Sequence, residues 1–259
     1  MKKLTVSLLL CSCILLASCG KSESQTDSSR SSETNQTVKT NESSSQTMSS
    51  SNAYSSETSG TEGSTTQQST EVNTATSATY NGSYYSVQGK YGEVIIANKK
   101  HPLSASYAPG EDPQALAAFQ KLIADMQAQG FAISNNYSGF RSYETQAGLY
   151  QSYVNQDGQA AADTYSARAG YSEHQTGLAF DLIDSAGNLL EEPVASKWLA
   201  DNAHNYGFIV RYLPGKESST GYMAESWHVR YIGQEATDIY NSGLTLEEYF
   251  GVPGGDYQE

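Results

Sequence analysis

Two short clusters carry the residue types that hydrolysis needs. SEHQTGLAFD, residues 172–181, sets His174 seven positions before Asp181, and ESWHVRY, residues 225–231, sets Glu225 three before His228. Imidazole and carboxylate are the nitrogen and oxygen donors of a catalytic zinc site with an open fourth position, and a further carboxylate beside them can take a proton from water. Between His174 and Asp181, Gly177 permits a positive φ and Ala179 leaves room, so a loop running into a strand can bring both side chains to one point. H-x6-D alone is a weak pattern, since an ordinary loop histidine and a strand-end aspartate read the same way. Residues three apart face opposite sides of a regular strand. Glu225 and His228 therefore converge only if Glu225 lies in the loop before the strand, which the glycine- and serine-rich KESSTGYMA, residues 216–224, allows.

The remaining histidines are His101, with no evident partner, and His204, which falls on a polar helical stretch and is expected to be exposed. The cysteines are Cys11, Cys13 and Cys19, all near the N-terminus, so a metal in the rest of the chain must be held by nitrogen and oxygen. There is no G-x-S-x-G elbow, P-loop or H-E-x-x-H. A formal charge of -13 and the lack of a basic patch argue against nucleic acid as a partner.

The elements that must position these residues begin past residue 80, where the composition becomes globular. About 180 residues there suit one domain with a sizeable core. Val94-Ile95-Ile96 reads as a short buried strand. Asp112-Pro113 caps a helix whose Leu116, Phe119, Leu122, Ile123 and Met126 share one face before Gly130. Residues 131–138 predict a strand, 143–155 and 159–166 helices, 178–183 a strand closed by a turn at 184–188. A helix over 193–206 ends at Gly207, with Val194, Trp198 and Leu199 inward. Strands follow at 208–213 and 228–232, then short helices from Gln234 and Leu246. Without regular βα alternation or a glycine fingerprint, the expected class is α+β with a small, mostly antiparallel sheet flanked by helices.

The N-terminus, MKKLTVSLLLCSCILLASCG, has lysines, an apolar run and small residues before Cys19, the layout of a secretory signal too short for a stable membrane span. Leu16-Ala17-Ser18-Cys19 resembles the lipobox of bacterial lipoproteins. Residues 1–18 are thus expected to be a signal peptide and Cys19 the lipid-bearing residue. From Lys21 to Tyr80, 31 of 60 residues are Ser or Thr with no apolar period, so residues 19–80 read as a disordered tether before a domain over 81–259. A coil of that length has a root-mean-square span of about 45 Å.

SEHQTGLAFD matches the S-x-H-x-x-G-x-A-x-D signature of the zinc D-alanyl-D-alanine carboxypeptidases of the VanY and VanX type, and ESWHVRY matches their E-x-W-H. The upstream SGFRSYETQ, with Arg141 33 residues before His174, is similar to their arginine motif. The resemblance, closest to the lipoprotein L,D- and D,D-carboxypeptidases of Gram-positive cocci, runs from about Val94 to Gly233. It implies a hedgehog/DD-peptidase-like fold, zinc held by His174, Asp181 and His228, and Glu225 as general base and acid. It further implies that Arg141 stabilises the oxyanion or holds the substrate's terminal carboxylate, that Gln146 and Ser172 contact the peptide, and that Trp227 walls the pocket. Arg168-Ala169-Gly170 departs from the family's Arg-Pro-Gly, which bears on substrate fit and removes no ligand. The implied reaction is removal of a terminal D-alanine from peptidoglycan stem peptides, L,D on tetrapeptides ahead of D,D on pentapeptides. The implied setting is a monomer lipid-anchored at the outer face of a Gram-positive membrane. An endopeptidase of the same fold and a non-catalytic wall-binding lipoprotein are the alternatives.

Overall fold

The computed structural model of the chain describes residues 77–258. The expected signal peptide, Cys19 and nearly all of the expected tether lie outside the described residues. Among the described residues no helix is long and apolar enough to cross a membrane.

Three strands come first: β1 (Thr79–Tyr80), β2 (Tyr85–Gln88) and β3 (Glu93–Ile96), paired in that order and antiparallel. Only the last was legible in the sequence, because Tyr- and Ser-rich β1 and β2 carry no apolar alternation. Helix α1 (Pro113–Ala128) starts where Asp112 accepts a hydrogen bond from the Ala115 amide at 2.8 Å, and it buries Phe119, Leu122, Ile123 and Met126 as the spacing predicts. Then follow β4 (Ile133–Ser138), α2 (Tyr143–Asp157), α3 (Gln159–Tyr165), a 3-10 turn over Glu173–Thr176, and β5 (Ala179–Asp184).

Helix α4 (Pro193–Asn202) hands over to a 3-10 turn before Gly207, shorter than the single helix expected. It buries Ala195 and Leu199, while Val194 is 66% exposed and not inward, because it lies about 100° off the Ala195–Leu199 line. The chain ends with β6 (Phe208–Tyr212), α5 (Glu217–Thr220), β7 (Glu225–Tyr231), α6 (Glu235–Ser242) and α7 (Leu246–Phe250).

The second sheet runs β4-β5-β7-β6, and all its pairings are antiparallel. Alternation along β5 divides its two faces. Phe180 and Leu182 pack into the core with α1, where Phe119 stacks on Phe180 at 4.6 Å between centroids. Asp181 points to the other face. A second apolar cluster joins Val87, Val94 and Ile96 of the first sheet to Ile209, Ile239 and Phe250.

Candidate active site

Register builds the site. Asp181 on β5 lies directly opposite His228 on β7, and opposite Ser138 on β4, so the three side chains form one row across the sheet. His174 arrives from the 3-10 turn, which closes at Gly177 with φ 73. A Cβ on Gly177 would lie 1.9 Å from the Gly110 carbonyl, so both the left-handed backbone and the close approach require glycine.

Glu225 corrects the sequence expectation. It is the first residue of β7, not part of the preceding loop. Convergence with His228 comes from a bulge: Val210 pairs with Val229 but Tyr212 pairs with Glu225, leaving Ser226, Trp227 and His228 opposite Arg211 alone. The two extra residues turn the strand so that residues three apart share a face, and Glu225 Oε2 lies 3.6 Å from His228 Nδ1.

The donor atoms of His174, Asp181 and His228 all lie within 4.8 Å of one another. His174 Nδ1 is 2.8 Å from the Gly139 carbonyl, which can only accept, so Nδ1 carries a hydrogen and Nε2 is the nitrogen turned towards Asp181. His174 Nε2 and His228 Nδ1 each stand 3.1 Å from an Asp181 oxygen, yet Asp181 Oδ1 is buried without any hydrogen bond. Burial pushes the Asp181 carboxyl up, but the two imidazoles outweigh it and hold it well below the usual carboxylate range. A carboxylate with one inward nitrogen against each oxygen, and one of those oxygens orphaned, is the environment a cation completes. Two imidazoles and one carboxylate fit zinc with a position left open.

Burial is the largest influence on Glu225, pushing it up to about 7, with His228 opposing and Asp181 reinforcing. A carboxyl at that value can both take and return a proton near neutrality. Arg141 is held by Ser138 Oγ at 2.9 Å and Gln146 Oε1 at 2.8 Å, with Nη2 3.9 Å from Asp181. Gln146 is 1% exposed and donates at its other end to the Ala167 carbonyl at 2.6 Å, so it serves to hold Arg141. Ser172 is buried beside the turn, and half-buried Trp227 lines the same cleft, which measures about 420 Å³. The structure thus brings together every sequence-predicted residue of the globular domain's site.

His204 lies apart from it, half-buried and stacked on Tyr240 at 4.0 Å, not exposed as expected. His101 is buried with its Nδ1 2.9 Å from Asn98 Oδ1. What sequence reading missed is the ionic layer beneath the site. Glu173, Arg211, Arg230 and Glu247 are all buried and joined to one another. Arginines inside the apolar strands FIVRYL and HVRYI were its signal.

Residues 110–234 match the sequence profile of VanY, D-alanyl-D-alanine carboxypeptidase. The putative carboxypeptidase YodJ of Bacillus subtilis is 34% identical over 189 residues, which cover 63% of this chain and 69% of YodJ. The chain belongs to the VanY carboxypeptidase family. A similar protein of known structure is the LdcB LD-carboxypeptidase, whose structure concerns peptidoglycan recognition. It is 62% identical, with 70% of this chain and 97% of that one covered and a TM-score of 0.69. The VanY D,D-pentapeptidase of a VanB-type resistance cassette, solved in complex with Zn(II), is 36% identical, with 60% and 97% covered and a TM-score of 0.53. Both belong with the antiparallel α+β architecture described above.

Proposed function

We propose that this VanY-family enzyme is a zinc-dependent carboxypeptidase that removes the terminal D-alanine from peptidoglycan stem peptides, acting by preference on the L,D bond of tetrapeptides. The observation that carries the reading is the single cleft in which the His174, Asp181 and His228 donors converge within 4.8 Å, beside Glu225 and Arg141. When bound, zinc supplies Lewis acidity towards the scissile carbonyl and acidifies water.

The chain's own groups do the rest. Glu225 accepts a proton as water oxygen bonds to the carbonyl carbon, and it returns that proton to the amine nitrogen as the C–N bond breaks, giving free alanine and a shortened peptide. Arg141, immobilised by Ser138 and Gln146, offers a fixed positive charge to the oxyanion or to the substrate's terminal carboxylate without reorganising. Trp227 and Ser172 border the cleft, and Gln146, buried and bonded at both ends, acts through Arg141. The L,D preference is supported by 62% identity across 97% of an LD-carboxypeptidase, against 36% to a D,D-pentapeptidase.

Mass spectrometry of tetra- and pentapeptide stems incubated with the zinc-loaded protein tests it. Loss of one alanine, faster from the tetrapeptide, is expected; products cut only at internal bonds would favour an endopeptidase. The lipobox-like Leu16-Ala17-Ser18-Cys19 supports a lipid anchor at the outer membrane face for a monomeric enzyme working on the wall. Cys19→Ala should then release the protein from the membrane fraction, and unchanged membrane retention would remove the anchor.

A further inference from the structure

The residue between Ser172 and His174 occupies an unspecified position of the S-x-H signature, yet its carboxylate is buried deeper than any of the site's donors. Glu173 has a fully buried side chain. Its Oε1 accepts from Arg211 Nε at 2.8 Å and Arg230 Nη1 at 2.9 Å. Its Oε2 is 3.3 Å from His228 Nε2. Both guanidiniums are themselves fixed, Arg211 by a two-pronged pair with Glu247 and Arg230 by donation to the Ile95 carbonyl at 2.7 Å. Ala179 lies directly opposite Arg230 across the strand pair, a small side chain where the guanidinium needs space.

We propose that Glu173 is a positioning residue that sets the tautomer and tilt of His228, keeping the proton on Nε2 and the Nδ1 lone pair aimed at the point shared with His174 and Asp181. The inference rests on the metal reading of that point. An ionised carboxylate has no hydrogen to donate, so a bond between Oε2 and Nε2 requires the hydrogen on Nε2. Arg211 and Arg230 both donate to Oε1, so the group faces two fixed guanidinium charges and acts as an acceptor. Committing Oε1 to two guanidiniums leaves Oε2 as the oxygen that faces the ring. Glu173 thus stands to His228 as the Gly139 carbonyl stands to His174. Each fixes one ring nitrogen as donor and frees the other.

A merely structural role, gluing β6 and β7 to the turn, makes a different prediction for Glu173→Gln. The two guanidiniums hold the amide oxygen at the Oε1 position, so the amide nitrogen faces His228 and donates to Nε2. The ring hydrogen is then driven to Nδ1, the inversion seen when a buried aspartate that orients a catalytic histidine becomes asparagine.

The test uses the protein labelled with 15N at its four histidines, zinc affinity being read by competition with a chromophoric chelator. In the zinc-loaded wild type, the His228 Nε2 hydrogen should give a downfield resonance held out of solvent exchange by its bond to Glu173. Glu173→Gln should lose that resonance and bind zinc about 10- to 100-fold more weakly. A wild-type His228 without that protected Nε2 hydrogen overturns the proposal even if the variant fails to fold. So does a folded Glu173→Gln with wild-type zinc affinity and an unchanged ring pattern. Zinc affinity that is undiminished in His228→Ala overturns the metal reading as well, and so separates the two failures.

Discussion

Glu225 shows how one carboxyl in a row of several can be given a separate task. Asp181 and Glu225 are both buried beside His228, but Asp181 contacts two imidazoles and is held ionised, whereas burial dominates at Glu225 and lifts it to about 7. In the proposed reading, ligand and base are thus distinguished by surroundings and not by residue type. Glu225→Gln keeps the shape and removes the proton acceptor. The expected outcome is a fall in kcat of about 10²- to 10⁴-fold with zinc still bound, read from steady-state kinetics beside metal analysis. Unchanged turnover would assign the base elsewhere. His174, Asp181, Glu225, His228 and Arg141 were legible because three short motifs together resemble a family signature, the spacing of His174 and Asp181 being weak by itself. Glu173 was not, since nothing local to the turn announces that Arg211 and Arg230, 38 and 57 residues later, will close over it.

Among the elements, helices were the most legible and pairing irregularities the least. The face of α1 can be read from its own sequence, but the bulge in β7 is a relation between β7 and β6, so no pattern within ESWHVRY reveals it. That is why Glu225 was expected in a loop. The wall of the cleft formed by α3 and the segment after it is tied by Arg168, which donates to Asp163 at 3.0 and 2.7 Å, with Tyr150 adding a third hydrogen bond at 2.7 Å. Burial raises the Asp163 carboxyl, and these bonds outweigh it, holding it below its ordinary value of 3.8. The folded protein therefore holds the Asp163 proton less tightly than the unfolded chain, and unfolding takes up protons at low pH. The stability this gives is fully present above about 3.8 and is lost as pH falls through the lower folded value. The difference in urea midpoint between wild type and Asp163→Asn should accordingly be full at pH 6 and shrink as pH falls below about 3.8. An unchanged difference at the two pH values would assign no such role to the pair.

At the scale of the molecule, one four-stranded sheet serves two purposes. One face builds an apolar core with α1 and α4; the other carries the Ser138–Asp181–His228 row and the buried ionic layer, flanked by a second apolar cluster. Placing the donors on paired strands fixes them by backbone hydrogen bonds, which suits a site that must hold atoms to fractions of an ångström. The α+β class and the order of most elements could be read from sequence. Of the first sheet only β3 could, because Tyr- and Ser-rich β1 and β2 carry no apolar alternation. The central claim, a zinc centre in that row that releases terminal alanine, is tested most directly by titrating zinc into chelator-stripped protein while measuring free D-alanine released from a tetrapeptide stem. The account predicts no release without metal, recovery complete at one zinc per chain, and one alanine per peptide. Release that persists in the stripped protein, or recovery without free alanine, would contradict it.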